Sequence, residues 1–400
     1  MVEITEGVGI YPKESMVKIK KSKNSLLIGL PVESAAQEKR VVLTPDAIAL
    51  LVNNGQEVIV EANAGKESKF TDQEYSDAGA KVVYSAKEAF DAEVVIKVEP
   101  PTEEEINLMR PGACLISALQ LGKQNAAFIH ALNKKRITAV SYEHLEDKVG
   151  GMPVVRAMSE IAGSTVMLIA AEYLSSVNNG KGLIMGGVTG VPPTEVVIIG
   201  AGTVAEYAAR TALGLGASIK VFDNHIYKLR RIKQLLGQQV FTSTIDNYTL
   251  SKALKEADVV IGALRAEKGR NKIVVSEEMV AAMMAGSVII DVGIDQGGCM
   301  ETSEMTSHDE PTFVKHGVIH YCVPNIASRV SRTASFALSN IFTPILLQMA
   351  DLGGAEEMVF NYKWFMKGVY TYRGSLTNAY IARKFGMTHK ELLLLLAARY

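Results

Sequence analysis

A glycine-containing segment between two apolar runs is the strongest chemical signal in the sequence. In "EVVIIGAGTVAEYAARTALGLGASIKVFDN", Gly200 and Gly202 separate a strand-like run from a helical one, and Asp223 ends the next strand-like run. Gly200 permits a tight turn, Gly202 lets the backbone approach a pyrophosphate at a helix N-terminus, and Ala205 is small enough for close helix-strand packing. The order of these parts predicts a dinucleotide site, with a βα turn that binds nothing as the alternative.

The acidic residue of this segment indicates which dinucleotide is bound. Asp223 can accept hydrogen bonds from a ribose 2′-hydroxyl and would repel a 2′-phosphate, which favours NAD over NADP. Lys228, Arg230 and Arg231 follow within eight residues. Because these cations could attract a 2′-phosphate, NADP is disfavoured rather than excluded.

Four other polar residues near strand-like runs could contact a small substrate. Asp295, in "VIIDVGIDQGG", follows an apolar run at the edge where open α/β sheets bind ligands, although a loop aspartate before two glycines more often forms an Asx-type turn. Arg40, in "QEKRVVLTP", could grip a carboxylate through two hydrogen bonds, with a surface arginine as the alternative. Lys97 and Glu99, in "VVIKVEPP", are two apart on a predicted strand and should share one face at a rim.

A glutamine ends another buried run and raises the question of proton transfer. The stretch "CLISALQLGK" predicts a strand that stops at Gln120. A glutamine can hold a substrate but cannot exchange a proton with it, so any proton transfer is expected from Asp295. The seven histidines form no HExxH motif, and no metal site is predicted. His308 and His320 could be general acids or simply polar loop and strand residues.

Two α/β series must position these residues. From Leu26, runs such as "LLIGLP", "EVIVEA" and "ITAVSYE" alternate with helical stretches, and a second series extends from "TEVVIIGAG" to "VIHYCVPN". Short apolar strands between helices are typical of a parallel sheet covered on both faces. The sequence therefore predicts an α/β protein with two Rossmann-like domains.

Two long helical stretches, "MSEIAGSTVMLIAAEYLSSVNNG" and "RTASFALSNIFTPILLQMADLGG", should join the domains as a hinge around a cleft. We predict an N-terminal arm over residues 1–25, a discontinuous substrate domain over 26–160 plus 326–400, and an NAD-binding domain over 161–325. The tail from Ala355 is predicted to be helical. Its leucine run in "KELLLLLAARY" should cap the core or contact a neighbouring chain.

The amino-acid composition limits which binding partners and which cell compartment are expected. The 42 basic and 43 acidic residues give a net charge of −1, and the absence of a basic stripe argues against binding to nucleic acid or an anionic membrane. Three scattered cysteines, Cys114, Cys299 and Cys322, indicate free thiols in a reducing compartment, so we expect a cytoplasmic protein. By this reading no apolar run approaches the roughly 18 residues of a membrane span, which predicts a soluble chain.

The stretches "EKRVVLTP", "MSEIAG", "MGGVTGVPPTEVVIIGAGTV", "KVFDN", "ADVVIGA", "IDQGGCMETS" and "HYCVPNI" together resemble the alanine dehydrogenases of the alanine dehydrogenase and pyridine-nucleotide transhydrogenase superfamily. The likeness runs from about Leu26 to Gly354. It implies a homohexameric NAD enzyme of amino-acid metabolism that interconverts L-alanine and water with pyruvate and ammonia. The resemblance assigns the substrate carboxylate to Arg40 and catalysis to Asp295. It assigns the ribose of the cofactor to Asp223 and Lys228. It places four further residues along the cofactor cleft: Ser159, Thr244, Asn325 and Ile326.

The chain departs from this family at two positions. The family's substrate-binding lysine corresponds to Glu99, and its catalytic histidine corresponds to Gln120. Lys97 could partly replace the lost lysine. Three hypotheses follow: an alanine dehydrogenase, a dehydrogenase of another 2-amino acid that is longer or basic and is attracted by Glu99, and a catalytically weakened NAD-binding protein with a sensing or assembly role.

Overall fold

The computed structural model describes residues 25–147, 149–265 and 270–397, so the predicted N-terminal arm lies outside the described residues apart from Ser25. The strands, numbered in chain order, are β1 (Leu27–Leu30), β2 (Glu57–Glu61), β3 (Lys81–Val83), β4 (Val94–Ile96), β5 (Cys114–Ser117), β6 (Thr138–Ser141), β7 (Glu195–Ile199), β8 (Ser218–Phe222), β9 (Phe241–Ser243), β10 (Val259–Gly262), β11 (Val288–Asp291), β12 (Thr312–Lys315), β13 (Val318–Tyr321), β14 (Val369–Tyr372) and β15 (Ser375–Leu376).

Helices connect most of the parallel strands. In chain order they are α1 (Pro45–Asn53), α2 (Asp72–Asp77), α3 (Ala86–Phe90), α4 (Glu103–Leu108), α5 (Ala126–Lys134), α6 (Pro153–Leu174), α7 (Thr203–Gly214), α8 (Ile226–Leu236), α9 (Asn247–Glu256), α10 (Glu277–Ala281), α11 (Ser331–Leu352), α12 (Ala355–Asn361), α13 (Lys363–Met366), α14 (Ala379–Phe385) and α15 (Leu392–Ala397).

The strands form two sheets that share one order. The first sheet runs β3-β2-β1-β4-β5-β6 in parallel and continues with antiparallel β14 and β15. The second runs β9-β8-β7-β10-β11-β13 in parallel, with antiparallel β12 at its edge. This strand order, 3-2-1-4-5-6, is that of the dinucleotide-binding fold. The prediction of two Rossmann-like domains is therefore confirmed.

Alternating apolar side chains give each sheet two buried faces. In β5, Cys114 and Ile116 pack into one apolar cluster of the first domain, while Leu115 packs into the cluster on the opposite face. In β7, Val196 and Val197 likewise point into two different clusters of the second domain. Burial on both faces explains why these strands read as continuous apolar runs in the sequence.

The C-terminal tail is only partly helical, which corrects the sequence-based prediction. Helices α12 to α15 are present, but β14 and β15 form a hairpin that extends the first sheet beside β6. The hairpin turn consists of Arg373 and Gly374, with φ of 49° and 83°, as the twist of a two-residue hairpin turn requires. The aromatic and β-branched residues of "VYTY" favour a strand at this point. The edge strands β3 and β12 are too short and polar to be predicted.

The leucine run of the tail has two environments. Leu392 and Leu396, four residues apart on α15, are buried in the core of the first domain. Leu393 and Leu394 lie on the other side of the helix, where 66% and 68% of their surfaces are exposed. The run therefore caps the core with one face and leaves two leucines at the surface.

The two long helices connect the domains in different ways. At the start of α6, Val154 and Met158 pack against the first domain, whereas the residues from Ala162 onward pack into the second. Helix α11 packs Leu338 and Phe342 into the first domain. The chain thus crosses within α6 and again between β13 and α11. The boundaries at residues 160 and 325 lie at these crossings and stay a prediction.

Both connecting regions are more apolar than the sequence reading suggested. The helices Pro153–Leu174 and Ile326–Leu352 are long and apolar enough to cross a membrane by length and composition, so the estimate that no run is long enough was wrong. In an apolar 18-residue stretch of each helix, 44% of the residues of the first and 50% of those of the second are buried inside the protein. Packing against two domain cores accounts for the apolar character of these helices.

A glycine fixes how closely α6 approaches α7. A Cβ atom at Gly163 would lie 2.4 Å from the Val204 carbonyl oxygen, which is part of the rigid helix backbone. We therefore expect Gly163→Ala to lower the free energy of unfolding by about 1–3 kcal/mol, as overpacking typically does. Urea denaturation would measure the change.

The matched control is Gly214→Ala at the end of α7. No atom lies within 4 Å of the position of its Cβ, so this variant should be neutral or slightly more stable. Equal effects of the two substitutions would contradict the account of close packing.

Candidate active site

A cavity of about 1030 Å³ lies between the two domains, at the carboxyl ends of the strands of both sheets. Eight residues singled out from the sequence line it: Arg40, Glu99, Gln120, Ser159, Asp295, His308, Asn325 and Ile326. Residues of both domains are among them, although they are up to 286 positions apart in the chain. The cavity is therefore the place where the predicted substrate residues meet.

Arg40 is held by a residue that the sequence reading overlooked. Its Nε and Nη2 atoms donate to the two carboxylate oxygens of Glu38 at 2.7 and 2.5 Å, and both side chains are buried. Burial alone would raise the pKa of Glu38, but the adjacent Arg40 charge and hydrogen bonds hold that pKa below its usual value. The position of Glu38 two residues before Arg40 in "QEKR" was the available signal.

The same carboxylate links the two domains. Asn325 follows β13 of the second sheet with a left-handed φ of 58°, and its Nδ2 donates to Glu38 Oε2 at 2.9 Å. Ser328 Oγ donates to the Gln37 carbonyl and accepts from Lys39 N, both at 3.0 Å. Asn325 therefore lines the cavity with its side chain committed to the first domain. The buried Ile326 follows it directly.

Glu99 and Gln120, the two residues that the sequence reading predicts as departures, are in contact. Gln120 Nε2 donates to Glu99 Oε2, and Glu99 Oε1 lies 3.8 Å from Arg40 Nη2. Burial, followed by the negative charge of Glu38, raises the pKa of Glu99 above its usual value against the opposing effect of Arg40. A carboxyl group thus stands beside the arginine expected to hold a substrate carboxylate.

Two glutamates fix the backbone around this pair. Glu33 accepts hydrogen bonds from the backbone nitrogens of Val98 and Glu99 at 2.6 and 3.1 Å, and burial raises the pKa of Glu33 to about 7. Glu143 accepts from Gln120 N at 3.0 Å and holds that residue at a φ of 44°. Neither glutamate was singled out from the sequence, because each acts through contacts that are distant in the chain.

Lys97 lies away from the cavity, contrary to the expectation that it shares a face with Glu99. Strand β4 ends at Ile96, so the alternation of a strand does not continue to residue 99. The fully buried Lys97 instead donates to Glu105 at 3.0 Å, and its ammonium lies 5.5 Å from the centre of the Phe90 ring. Its ion pair stabilises the packing of α4, and the substrate role suggested for it finds no geometric support.

Asp295 is presented to the cavity by a loop that another aspartate holds in place. Buried Asp291 accepts from Cys299 N at 2.9 Å and from Ser303 Oγ at 2.8 Å. Asp295 itself is exposed in the short 3-10 turn Ile294–Gln296. Among the residues that the structure describes, its carboxylate has no hydrogen-bond partner, so the Asx-type turn considered from the sequence is not formed.

The glycine loop after β7 has the shape that a pyrophosphate requires. Gly200 has a φ of 116°, and a Cβ there would lie 2.6 Å from the Ala263 carbonyl oxygen. Gly202 caps the N-terminus of α7, and no atom lies within 4 Å of its Cβ position. Ala205 is fully buried against the sheet. The residues present thus leave the helix N-terminus open to a phosphate group, as in dinucleotide sites.

Three predicted cofactor residues, Asp223 and Lys228 of the ribose pair and Thr244, lie after the neighbouring strands β8 and β9. Asp223 accepts from Ala201 N at 2.8 Å and from His225 N at 2.8 Å, and the His225 ring nitrogen lies 2.9 Å from the same carboxylate. Lys228 lies one turn into α8, with its ammonium 5.9 Å from the centre of the Tyr227 ring. Thr244 follows β9 and is exposed. None of the three lines the cavity described above.

The two histidines considered as general acids differ in position. His320 is fully buried in β13, bonded to Thr302 and stacked on Phe313, so its role is structural. His308 lines the cavity, and within the described part of the chain its buried Nε2 has no hydrogen-bond partner. No group of three or more potential metal ligands occurs among the described residues.

The paired strand orders, the glycine loop and the cleft define a two-domain protein of the dinucleotide-binding class. Models of the N-terminal and C-terminal domains of alanine dehydrogenase/PNT match residues 29–162 and 166–379. The chain belongs to the alanine dehydrogenase/PNT family.

Individual relatives agree with this assignment. An alanine dehydrogenase of Methanococcus maripaludis is 40% identical over 360 residues, which are 90% of this chain and 96% of that one. Alanine dehydrogenase 2 of Staphylococcus aureus is 37% identical over 366 residues, or 91% and 98% of the two chains. A solved L-alanine dehydrogenase structure superimposes with a TM-score of 0.86 at 36% identity, covering 90% of this chain and 99% of that one.

Titration with nucleotides tests whether Asp223 binds the ribose of the cofactor. Asp223→Asn keeps the shape of the side chain but removes the charge that repels a 2′-phosphate. We expect NADH to bind roughly 3- to 10-fold more weakly, the value of about one hydrogen bond, while NADPH binds equally well or better. Fluorescence titration of both nucleotides measures the ratio. Asp246→Asn, at the N-cap of α9, is the control, and an unchanged ratio in Asp223→Asn would refute the assignment.

Proposed function

We propose that the protein is an NAD-dependent amino-acid dehydrogenase that reversibly converts L-alanine and water to pyruvate and ammonia. The observation that carries the proposal is the meeting of Arg40 and Asp295, from different domains, in one cavity beside the glycine loop. The similarity to alanine dehydrogenases over nine-tenths of the chain supports the same chemistry. Bound NAD would supply the hydride acceptor.

Arg40 is proposed to hold the substrate carboxylate. Its Nε and Nη2 atoms are bonded to Glu38, whereas Nη1 contacts the Met158 sulfur at 3.3 Å, a weak acceptor that a carboxylate would displace. Glu38 thus fixes the plane of the guanidinium and leaves one of its edges for the substrate. The orientation of the carboxylate would place Cα of the amino acid between the two domains.

Asp295 is proposed to take the proton from the substrate ammonium, so that the free amine can release hydride from Cα. Its exposed carboxylate has no competing partner among the described residues, and the loop anchored by Asp291 keeps it on the nucleotide-domain side of the cavity. After hydride loss, the same negative charge would stabilise the positive iminium group. Gln120 would hold Glu99 rather than react.

A second candidate is a dehydrogenase of a longer 2-amino acid with a cationic side chain. Glu99 and Glu143 both line a cavity that is larger than alanine requires, and their carboxylates could receive a distant ammonium group. Glu99 also opposes a second carboxylate near Arg40. The two candidates differ in whether the carboxylates of Glu99 and Glu143 repel the substrate or bind it.

We further propose a cytoplasmic homo-oligomer, a hexamer by resemblance. All three cysteines are buried and free, which suits a reducing compartment. Large apolar side chains are exposed near the start of the second domain: Leu168, Val177, Ile184, Val188 and Val191. Such a concentration of apolar surface supports association between copies of the chain.

The test follows NADH formation from NAD and single amino acids at alkaline pH, using L-alanine, L-serine, L-2-aminobutyrate, L-ornithine and L-lysine. Turnover of L-alanine that Asp295→Asn abolishes is the expected result. Preference for L-lysine or L-ornithine would support the second candidate. NADH binding without turnover of any amino acid would contradict both and would fit a protein that only senses the nucleotide.

Restoring the family residues should reveal what the two departures cost. We expect the double change Glu99→Lys and Gln120→His to raise kcat/KM for L-alanine by about 10²-fold, because it removes a repelling charge and adds a general acid-base group. Steady-state rates with L-alanine measure the effect. Glu103→Lys, on the exposed first turn of α4, controls for the change in net charge. No gain would mean that the site has diverged beyond these two residues.

A further inference from the structure

We infer that His144 is a catalytic residue that carries the proton of the attacking water, in place of the histidine that the family has at position 120. This inference rests on the proposed function and assigns a second proton-transfer group to the same site. His144 ends the 3-10 turn Tyr142–His144 directly after β6 and lines the interdomain cavity. Sequence reasoning passed over it because nothing in "SYEHLED" relates it to Gln120.

The imidazole lies on the wall of the cavity where Gln120 stands. Glu143, the neighbour of His144, accepts a hydrogen bond from Gln120 N at 3.0 Å. The segment bearing His144 and the segment bearing Gln120 are therefore joined directly, and both line the cavity with Arg40 and Asp295. A proton-transfer group lost at position 120 is thus present again on the adjacent segment.

The hydrogen bonds around Ser141 determine which ring nitrogen is available. Ser141 Oγ lies 3.2 Å from Glu143 Oε2 and 3.1 Å from His144 Nδ1. A carboxylate only accepts, so the single hydroxyl proton of Ser141 goes to Glu143, and Ser141 must accept from Nδ1–H of the histidine. The proton on Nδ1 leaves Nε2 with a lone pair, the form that acts as a base.

The surroundings of His144 favour its neutral form. Partial burial lowers the pKa of His144 below its usual value, the positive charge of Arg265 from the opposite domain acts in the same direction, and Glu143 opposes them. The ring packs 5.3 Å from that of Tyr370 on β14, whose pKa is raised to about 12 by burial and by Glu143, so Tyr370 is uncharged at neutral pH. His144 is therefore able to accept a proton at neutral pH.

The proton balance of the reaction requires a second group. Asp295 takes one proton from the substrate ammonium before hydride leaves Cα. When water then attacks Cα of the iminium, a C–O bond forms and the released proton passes to Nε2 of His144. His144 returns this proton to the amine nitrogen, and its Nε2 is then neutral again. The C–N bond breaks and ammonia leaves, while the hydroxyl proton passes to Nε2 of His144 and the ketone of pyruvate forms.

The test compares His144→Gln with the wild-type protein over a range of pH, with L-alanine and NAD. We expect kcat to fall by about 10²- to 10⁴-fold in the variant. In the wild type, kcat should decline on the acid side of neutrality, because a histidine of lowered pKa becomes protonated only as the pH falls, and this acid limb should be absent in His144→Gln. The dissociation constant of NADH should not change, which shows that the variant is folded.

Three further variants distinguish a catalytic role of His144 from a structural one and from an effect of Glu99. Gln120→His in the His144→Gln background should recover activity and the acid limb, which a purely structural role of His144 would not allow. His130→Gln, on the exposed side of α5, is the matched control and should behave as the wild type. Glu99→Gln should retain the acid limb, because the limb belongs to His144 and not to the carboxyl group of Glu99.

Different experimental results would overturn the role of His144 and the proposed function. Wild-type activity that persists in His144→Gln and in a second variant, His144→Asn, with an unchanged acid limb overturns the role of His144 alone. Loss of the limb in Glu99→Gln instead would also overturn it. No turnover of any amino acid by the wild type overturns the proposed function, and the inference with it.

Discussion

The buried ion pair between Glu38 and Arg40 is the interaction on which the cavity depends. Glu38 binds two nitrogens of the guanidinium and also receives the amide of Asn325 from the second domain. A buried arginine without this partner would carry an uncompensated charge, which typically costs several kcal/mol. One carboxylate therefore fixes the substrate-facing arginine and connects the two sheets at the same point.

Charge decides what can bind beside this pair. Glu99 brings a second carboxyl group toward Arg40, and Gln120 donates a hydrogen bond to Glu99. The resemblance to the family predicts a lysine and a histidine at these two positions. Glu99 thereby reduces the positive potential expected for a carboxylate site. The glycine loop still leaves the N-terminus of α7 open, and Asp295 still lines the cavity. The division of proton transfer between Asp295 and His144 offers one way in which such a site can still turn over.

Local patterns in the sequence predicted the fold more completely than the site. The apolar runs of β1, β4, β5, β7 and β10 and the glycine loop are short-range signals, so both Rossmann-like domains could be predicted. The hairpin β14-β15 escaped because its strand partner, β6, lies more than 200 residues earlier.

The site residues that were missed share one physical property. Glu38, Glu143 and His144 act through hydrogen bonds to Asn325, Gln120 and Ser141, and no periodicity encodes those contacts. Lys97 shows the opposite error, because strand alternation was extended to Glu99, three residues past the end of β4. The central claim is that hydride leaves Cα of an amino acid in this cavity. Incubation of the protein with NAD and L-alanine deuterated at Cα, followed by mass spectrometry of the nucleotide, tests it most directly. The account predicts NADH that carries the deuterium, whereas NADH without deuterium, or no NADH at all, would contradict it.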